Sequence, residues 1–202
     1  MGRRAQYGSE EIIRATLEII GSSGPAGVTI PAIIKMLGCS VGSIYHRYRS
    51  LQHILAEAWL NIVGSFQGGF LQCLEKPDAD GGLQAALYTP RWSRGHLLEA
   101  RVLLCYRRED LVSDEWPQEV RERAEKLGEE LISGLHDYVD RRYGDPTTRD
   151  IALVRFALID MPTAAVRPYL ERGERIDPFI DDFVQRAYLA LMENSVATGG
   201  ES

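Results

Sequence analysis

The chain has 202 residues, of which 45% are apolar and 26% are charged, enough to bury a core in one or two small domains. Its 19 glycines and nine prolines are an ordinary share, so the composition excludes a disordered or low-complexity chain. The net charge of −6 argues against a protein that coats nucleic acid unselectively, because such binding relies on many lysine and arginine contacts to phosphate.

The cysteines and the N-terminus indicate a cytoplasmic protein. Cys39, Cys73 and Cys105 cannot all pair and have no zinc-ligand spacing, so we expect a reducing compartment. The N-terminus lacks the apolar segment of a signal peptide, and no apolar run approaches the roughly 18 residues that span a membrane. We expect no cofactor, no metal site and no membrane partner.

The spacing of apolar residues predicts an all-α fold, since they recur three and four positions apart without strand-like alternation. The first helix begins at about Ser9 and ends at a Gly-rich segment. Thr29 caps a short second helix that Gly38 ends. Ser40 caps a third helix of barely two turns, with two side chains on its inward side, Ile44 and Tyr48.

The rest of the chain predicts a larger helical domain. From Ser50 an apolar stripe of about 25 residues indicates a long fourth helix, which we expect to kink near its three glycines, Gly64, Gly68 and Gly69. A loop follows, and further helical stretches are expected near 83–89, 92–108, 117–143, 147–161 and 177–196. We predict an N-terminal domain over residues 1–50 and a second domain over 51–202, with the fourth helix shared at the boundary.

Residues 29–48 have the pattern of a helix-turn-helix, in which two short helices are joined by a turn that contains glycine. If Ile44 and Tyr48 face inward, the outward side chains are small, aromatic or basic, which suits close approach to a DNA groove. These outward residues are Gly42, Ser43, Tyr45, His46 and Arg47. A generic helical hairpin shares part of this pattern and remains an alternative.

Residues 24–55, GPAGVTIPAIIKMLGCSVGSIYHRYRSLQHIL, resemble the N-terminal region of the tetracycline-repressor-like (TetR) family of bacterial transcriptional regulators. The resemblance rests on Thr29, Ile33, Gly38, Ser40, Gly42, Tyr45, Tyr48, Ser50 and Leu55. It implies a DNA-binding homodimer on a palindromic operator, with a small-molecule effector in the C-terminal domain. The DNA-binding residues that we predict are Arg3, Arg4, Thr29, Ser40, Val41, Gly42, Ser43, Tyr45, His46 and Arg47.

Two departures from the family pattern bear on DNA binding. Ile34 replaces the usual alanine, which predicts slightly wider packing of the two motif helices. Leu51 replaces the usual lysine, so a backbone contact is lost and Arg47, Arg49 or the Arg3 and Arg4 arm has to supply the charge. Residues 1–58 carry six basic and four acidic side chains, a small positive surplus in a chain that is otherwise acidic.

A dimer would strengthen binding, because a two-fold protein reads two half-sites about 34 Å apart with two short recognition helices. Residues 151–161 are apolar on nearly all sides, and the last helix carries an apolar stripe. The predicted interface residues are Ile151, Val154, Leu158, Phe179, Phe183, Ala187 and Leu191. A plain internal core is the alternative interpretation.

The predicted effector site lies between the middle helices. Trp92 and His96 are four residues apart, and Phe66, Tyr88 and Tyr106 could join them around a cavity. Each of these residues taken alone fits an ordinary core better than a ligand contact. Since the fourth helix touches both domains, we hypothesise that effector entry displaces it and changes the separation of the two recognition helices.

Two other function classes fit part of the sequence. Residues 38–42, GCSVG, fit the GxSxG nucleophile elbow of hydrolases, but that elbow requires a strand before the serine, so we predict no enzyme. An all-helical small-molecule-binding or interaction module without DNA binding is the alternative to a regulator. Leu51 and the small basic surplus favour that alternative.

Overall fold

The computed structural model describes residues 8–76, 80–105 and 116–197, and across these ranges the chain is helical without a strand. The N-terminal part contains α1 (Ser9–Ser23), a 3-10 turn (Pro25–Gly27), α2 (Ile30–Leu37) and α3 (Val41–Tyr45). The larger part contains α4 (Leu51–Leu74), α5 (Asp80–Gly95), α6 (Leu97–Cys105), α7 (Gln118–Tyr143), α8 (Thr148–Arg155), α9 (Met161–Arg172) and α10 (Phe179–Ala197). The all-α prediction is confirmed.

Side-chain caps start the N-terminal helices where the sequence predicts them. Thr29, Ser40 and Ser50 each accept a backbone N–H from three residues further on, at 3.1, 3.3 and 3.1 Å. Gly38 has a φ of 67°, a left-handed conformation that an L side chain would strain. This glycine therefore lets α2 end and the tight turn to α3 begin.

A single buried cluster joins the N-terminal helices to the rest of the chain. It includes Ile12 of α1, Ile33 of α2 and Ile44 of α3, and extends through α4 to Met192 of α10. α1 packs directly on both α4 and α6. The N-terminal helices therefore depend for their burial on the larger part of the chain.

One predicted helix break differs from the structure. α5 continues through Pro90 to Gly95, with the break at His96, whereas α4 is one long helix, as predicted. Proline removes one intrahelical hydrogen bond, but Ala86 and Trp92 on either side are buried. Their packing outweighs the local helix-breaking tendency of Pro90.

The helical segment that begins at Thr148 continues to Arg172, so the predicted end near residue 161 is wrong. α8 passes into α9 through a π turn at Phe156–Asp160, in which the Met161 N–H donates to the Phe156 carbonyl, five residues back. Pro162, which has no N–H, follows immediately. The wide turn changes the hydrogen-bond register just before this proline, and the helix continues past it.

Candidate functional site

The outward face of α3 is exposed, as the sequence predicts. Val41 and Tyr45 are 53% and 54% exposed, whereas Ile44 is fully buried and Tyr48 is only 5% exposed. The other predicted contact residues that lie exposed are Thr29, Ser40, Gly42 and His46. An aromatic ring and a branched apolar side chain thus stand one turn apart on a helix that nothing within the described residues covers.

Two predicted contact residues are instead half-buried and already hydrogen-bonded. Arg47 Nη1 donates to the Ser43 carbonyl at 3.2 Å, and the hydroxyls of Ser43 and Ser40 lie 2.9 Å apart. To bind a phosphate through this nitrogen, the Arg47 side chain has to give up its hydrogen bond to the Ser43 carbonyl. Arg3 and Arg4 lie outside the described residues.

Packing explains the two apolar residues that depart from the family pattern, Ile34 in place of alanine and Leu51 in place of lysine. Ile34 and Leu51 are both half-buried and contact the main core. Arg49, two residues before Leu51, is exposed and available to bind phosphate.

Tyr48 anchors the C-terminal end of the α3 segment to two other helices. Its hydroxyl donates to the Ser9 carbonyl at 3.5 Å, and its ring meets the His53 ring edge-on at 5.3 Å. Burial raises the pKa of the Tyr48 hydroxyl, so the group stays protonated and able to donate. This contact fixes the orientation of α3 on α1 and α4.

A cavity of about 260 Å³ lies among α4, α5, α6, α7 and the π turn with the start of α9. Phe66 lines it, as the sequence predicts. Most of the lining is apolar, and it includes Trp59, Val63, Phe70, Leu103, Leu104, Leu127, Leu131, Leu158 and Ile159. This mostly apolar space between helices is typical of a small-molecule site.

The other predicted effector residues lie beside the cavity wall. The Phe66 ring contacts the rings of Tyr88 and Trp92 at 5.5 and 5.1 Å, and His96 stacks on Trp92 at 4.8 Å. Gly69 permits this arrangement, since a methyl group there would overlap the Tyr88 ring. Tyr106 lies outside the described residues. The structure thus brings four of the five predicted residues together, with Phe66 alone of the four on the lining.

Three neutral polar residues and one face of α7 also line the cavity, and the sequence did not predict them. The polar residues are Gln67, Thr89 and Thr163, and the α7 residues are Ala124, Leu127, Gly128 and Leu131. The spacing of the α7 residues at i, i+3, i+4 and i+7 does indicate one inward face. Ala124 and Gly128 on that face have small side chains, and this was the sequence feature that could have indicated a cavity.

α6 connects the cavity to the N-terminal helices. Leu103 and Leu104 line the cavity at one end of α6, while Arg101 Nη1 donates to the Gly21 carbonyl of α1 at 2.7 Å. Leu98 packs so closely on Gly21 that a side chain there would overlap it. A displacement of α6 by a molecule in the cavity would therefore act directly on α1.

We expect Arg101→Met to lower the free energy of unfolding by about 1–2 kcal/mol, because the Gly21 carbonyl loses its charged donor while the aliphatic packing remains. Urea denaturation measures the change. Arg167→Met, at an exposed arginine on α9, is the matched control and should stay within about 0.5 kcal/mol of wild type. Equal effects of the two substitutions would contradict a structural role for the Arg101 contact.

The predicted dimer residues divide into exposed and buried sets. Ile151, Phe179 and Phe183 are 38%, 47% and 57% exposed, and the two phenylalanine rings lie 5.2 Å apart. Ala187 and Leu191 are half-buried. Val154 and Leu158 are 1% and 0% exposed, so the chain's own core covers them. The structure adds two exposed residues to this region, Phe156 and Leu189.

The GxSxG interpretation fails on the element that precedes the serine. Ser40 follows α2 and caps α3, whereas a nucleophile elbow follows a strand. The described residues hold no group of three or more His, Cys, Asp or Glu side chains placed to bind a metal ion. Within the same ranges, no helix combines the length and apolarity needed to cross a membrane.

A short exposed helix braced by α2 on an all-helical body is the arrangement of a helix-turn-helix. Residues 12–58 match the model of the bacterial regulatory proteins of the tetR family. The N-terminal segment of the chain, with α1, α2 and α3, is therefore similar to the DNA-binding domain of this family of transcriptional regulators.

Solved structures of low sequence identity share the fold. PfmR, a TetR family regulator from Thermus thermophilus, is 14% identical over 90% of this chain and 97% of its own, with a TM-score of 0.67. FadR from Bacillus subtilis, in complex with stearoyl-CoA, is 16% identical over 91% of this chain and 97% of its own, with a TM-score of 0.65. The ketosteroid regulator KstR2 of Mycobacterium tuberculosis is 16% identical over 96% and 98%, with a TM-score of 0.63. No curated protein sequence matches the chain.

Proposed function

We propose that the chain is a ligand-responsive repressor that binds a palindromic operator as a homodimer and changes its operator affinity when a small molecule occupies the cavity. The observation that carries this proposal is the exposed α3 face, with Val41 and Tyr45 outward over the buried Ile44. Such a surface suits the major groove, where apolar side chains contact thymine methyl groups.

The exposed apolar side chains on the π turn and α10 support the homodimer. Phe156, Phe179 and Phe183 are each about half exposed, and α10 packs against the π turn. Large exposed aromatic patches mark interaction surfaces. A second copy of the chain, with the same patch related by a two-fold axis, would remove these rings from water.

α4 and α6 support the coupling of effector to operator, because each contacts α1 and also lines the cavity. An effector shifts the equilibrium only by its difference in affinity between the two arrangements of the dimer. We therefore expect calorimetry to show weaker effector binding to the operator-bound dimer than to the free dimer. Equal affinities would rule out displacement of α4 as the signal. Two structural neighbours, FadR with stearoyl-CoA and the ketosteroid regulator KstR2, support a small-molecule response.

A gel shift on the DNA upstream of the protein's own gene tests the proposal. We expect a shifted complex whose affinity falls steeply between about 50 and 200 mM salt, since phosphate contacts release counterions. The second candidate, a ligand-binding module without DNA binding, is favoured by Leu51 and the net charge of −6. That candidate predicts no shift at the lowest salt, with effector binding intact.

A further inference from the structure

The chemistry of the cavity restricts the molecules that it can hold. We propose that its ligand is a neutral, largely apolar molecule of about two fused rings, with a hydroxyl group that pairs with the Gln67 amide. This ligand class rests on the proposed function, because it identifies the effector of the same site.

Among the residues that the structure describes, the lining carries no formal charge. It consists of apolar side chains, Gly128 and three neutral polar residues, Gln67, Thr89 and Thr163. Burial of an ionised group without a partner costs several kcal/mol. A carboxylate or a phosphate inside the cavity would meet no lysine, arginine or histidine among these residues. The ligand portion within the cavity is therefore uncharged.

Gln67 supplies the specific polar contact. Its Oε1 is buried and meets no donor, although the side chain is on the cavity wall. An unpaired buried amide oxygen is costly, and the last side-chain torsion of glutamine is soft enough to turn the amide toward an incoming group. A hydroxyl can donate to Oε1 and accept from Nε2 of the same amide. Gln67 therefore selects a hydroxyl over an ether or a bare hydrocarbon.

The volume sets the size of the ligand. An engineered apolar cavity of about 150 Å³ is known to bind benzene. The cavity here is about 260 Å³, large enough for two fused rings but at or below the small end of drug-sized sites. The aromatic residue Phe66 at the wall can pack against such rings.

Gly128 offers a way to fill the cavity without disturbing its walls. It lies on the same face of α7 as Ala124 and Leu131, and a Cβ added to it meets no atom within 4 Å. Gly128→Leu therefore places a side chain in the empty space and also replaces a poor helix former. Gly68→Leu is the matched control, since Gly68 is exposed on α4, has equally open space and is not on the lining.

Calorimetry of the full chain with three probes tests the ligand class. We expect 2-naphthol to bind at least about tenfold more tightly than 2-methoxynaphthalene, which keeps the oxygen but cannot donate to Gln67. We expect no measurable binding of 2-naphthoate. Gln67→Leu should lower the affinity for 2-naphthol to that for 2-methoxynaphthalene. Gly128→Leu should abolish the binding of both compounds, whereas Gly68→Leu should still bind both.

Several outcomes would overturn the inference. These are no binding of 2-naphthol, binding of 2-naphthoate as tight as that of 2-naphthol, an unchanged preference in Gln67→Leu, or unchanged 2-naphthol binding in a folded Gly128→Leu protein. All of these measurements are made without DNA. Failure of the gel shift alone would therefore remove the operator proposal and leave the ligand class standing, while failure of the probes leaves operator binding untouched.

Discussion

Replacement of Tyr45 by alanine is expected to reduce operator affinity about a hundredfold while the chain remains a folded dimer. The Tyr45 ring is 54% exposed on the outward face of α3, one turn from Val41. A lost base contact costs about 1–3 kcal/mol, and a symmetric dimer loses it at both half-sites. Fluorescence anisotropy with the shifted DNA fragment measures the affinity, and sedimentation velocity verifies the dimer.

Ile132→Ala is the control for the Tyr45 substitution. Ile132 is 58% exposed on α7, so its truncation removes a comparably exposed apolar side chain from another surface. Tyr45→Phe separates the ring from its hydroxyl. Undiminished affinity in Tyr45→Ala would show that α3 does not enter the groove at this position.

Phe183→Lys is expected to convert the dimer to monomers at micromolar concentration and to weaken operator binding by at least about a hundredfold. Phe183 is 57% exposed, and its ring lies 5.2 Å from the ring of Phe179, which is also exposed. In a two-fold interface the substitution occurs once in each subunit. The interface therefore loses two aromatic anchors, and the two new ammonium groups repel each other. Sedimentation equilibrium over a concentration series measures the dissociation constant.

Ile132→Lys provides the matched change outside the patch. It introduces the same charge at an equally exposed position and should leave both the assembly and the operator affinity unchanged. A Phe183→Lys protein that stays dimeric would place the interface elsewhere. A monomer with full operator affinity would contradict the link between assembly and DNA binding.

The helix-turn-helix was predictable because its signals are local. Thr29, Ser40 and Ser50 cap helices with donors three residues away, and Gly38 ends α2 through its own backbone conformation. The inward positions Ile44 and Tyr48 follow directly from helical spacing. None of these features depends on how distant segments pack.

The cavity and the division of the apolar residues were less predictable. Periodicity shows that Val154 and Phe183 lie on apolar stripes, but it cannot distinguish burial by the chain's own core from exposure to a partner. The predicted aromatic residues Tyr88 and Trp92 do contact Phe66, yet the cavity itself depends on how α6 and α7 pack beside that ring. Gln67 adjoins Phe66 in sequence, but its unpaired oxygen becomes visible only in three dimensions.

The π turn contributes side chains to two different surfaces of one continuous helical segment. Leu158 and Ile159 reach the cavity from this turn, while Phe156 within the same turn is 47% exposed on the opposite side. Because the wide turn takes up one extra residue, deletion of one residue here would restore regular winding and leave Met161–Arg172 almost in phase with Thr148–Arg155. The surplus residue therefore changes the side chains of the turn itself, and a single deletion would alter which of them face the cavity and which face outward while both flanking helices kept their places.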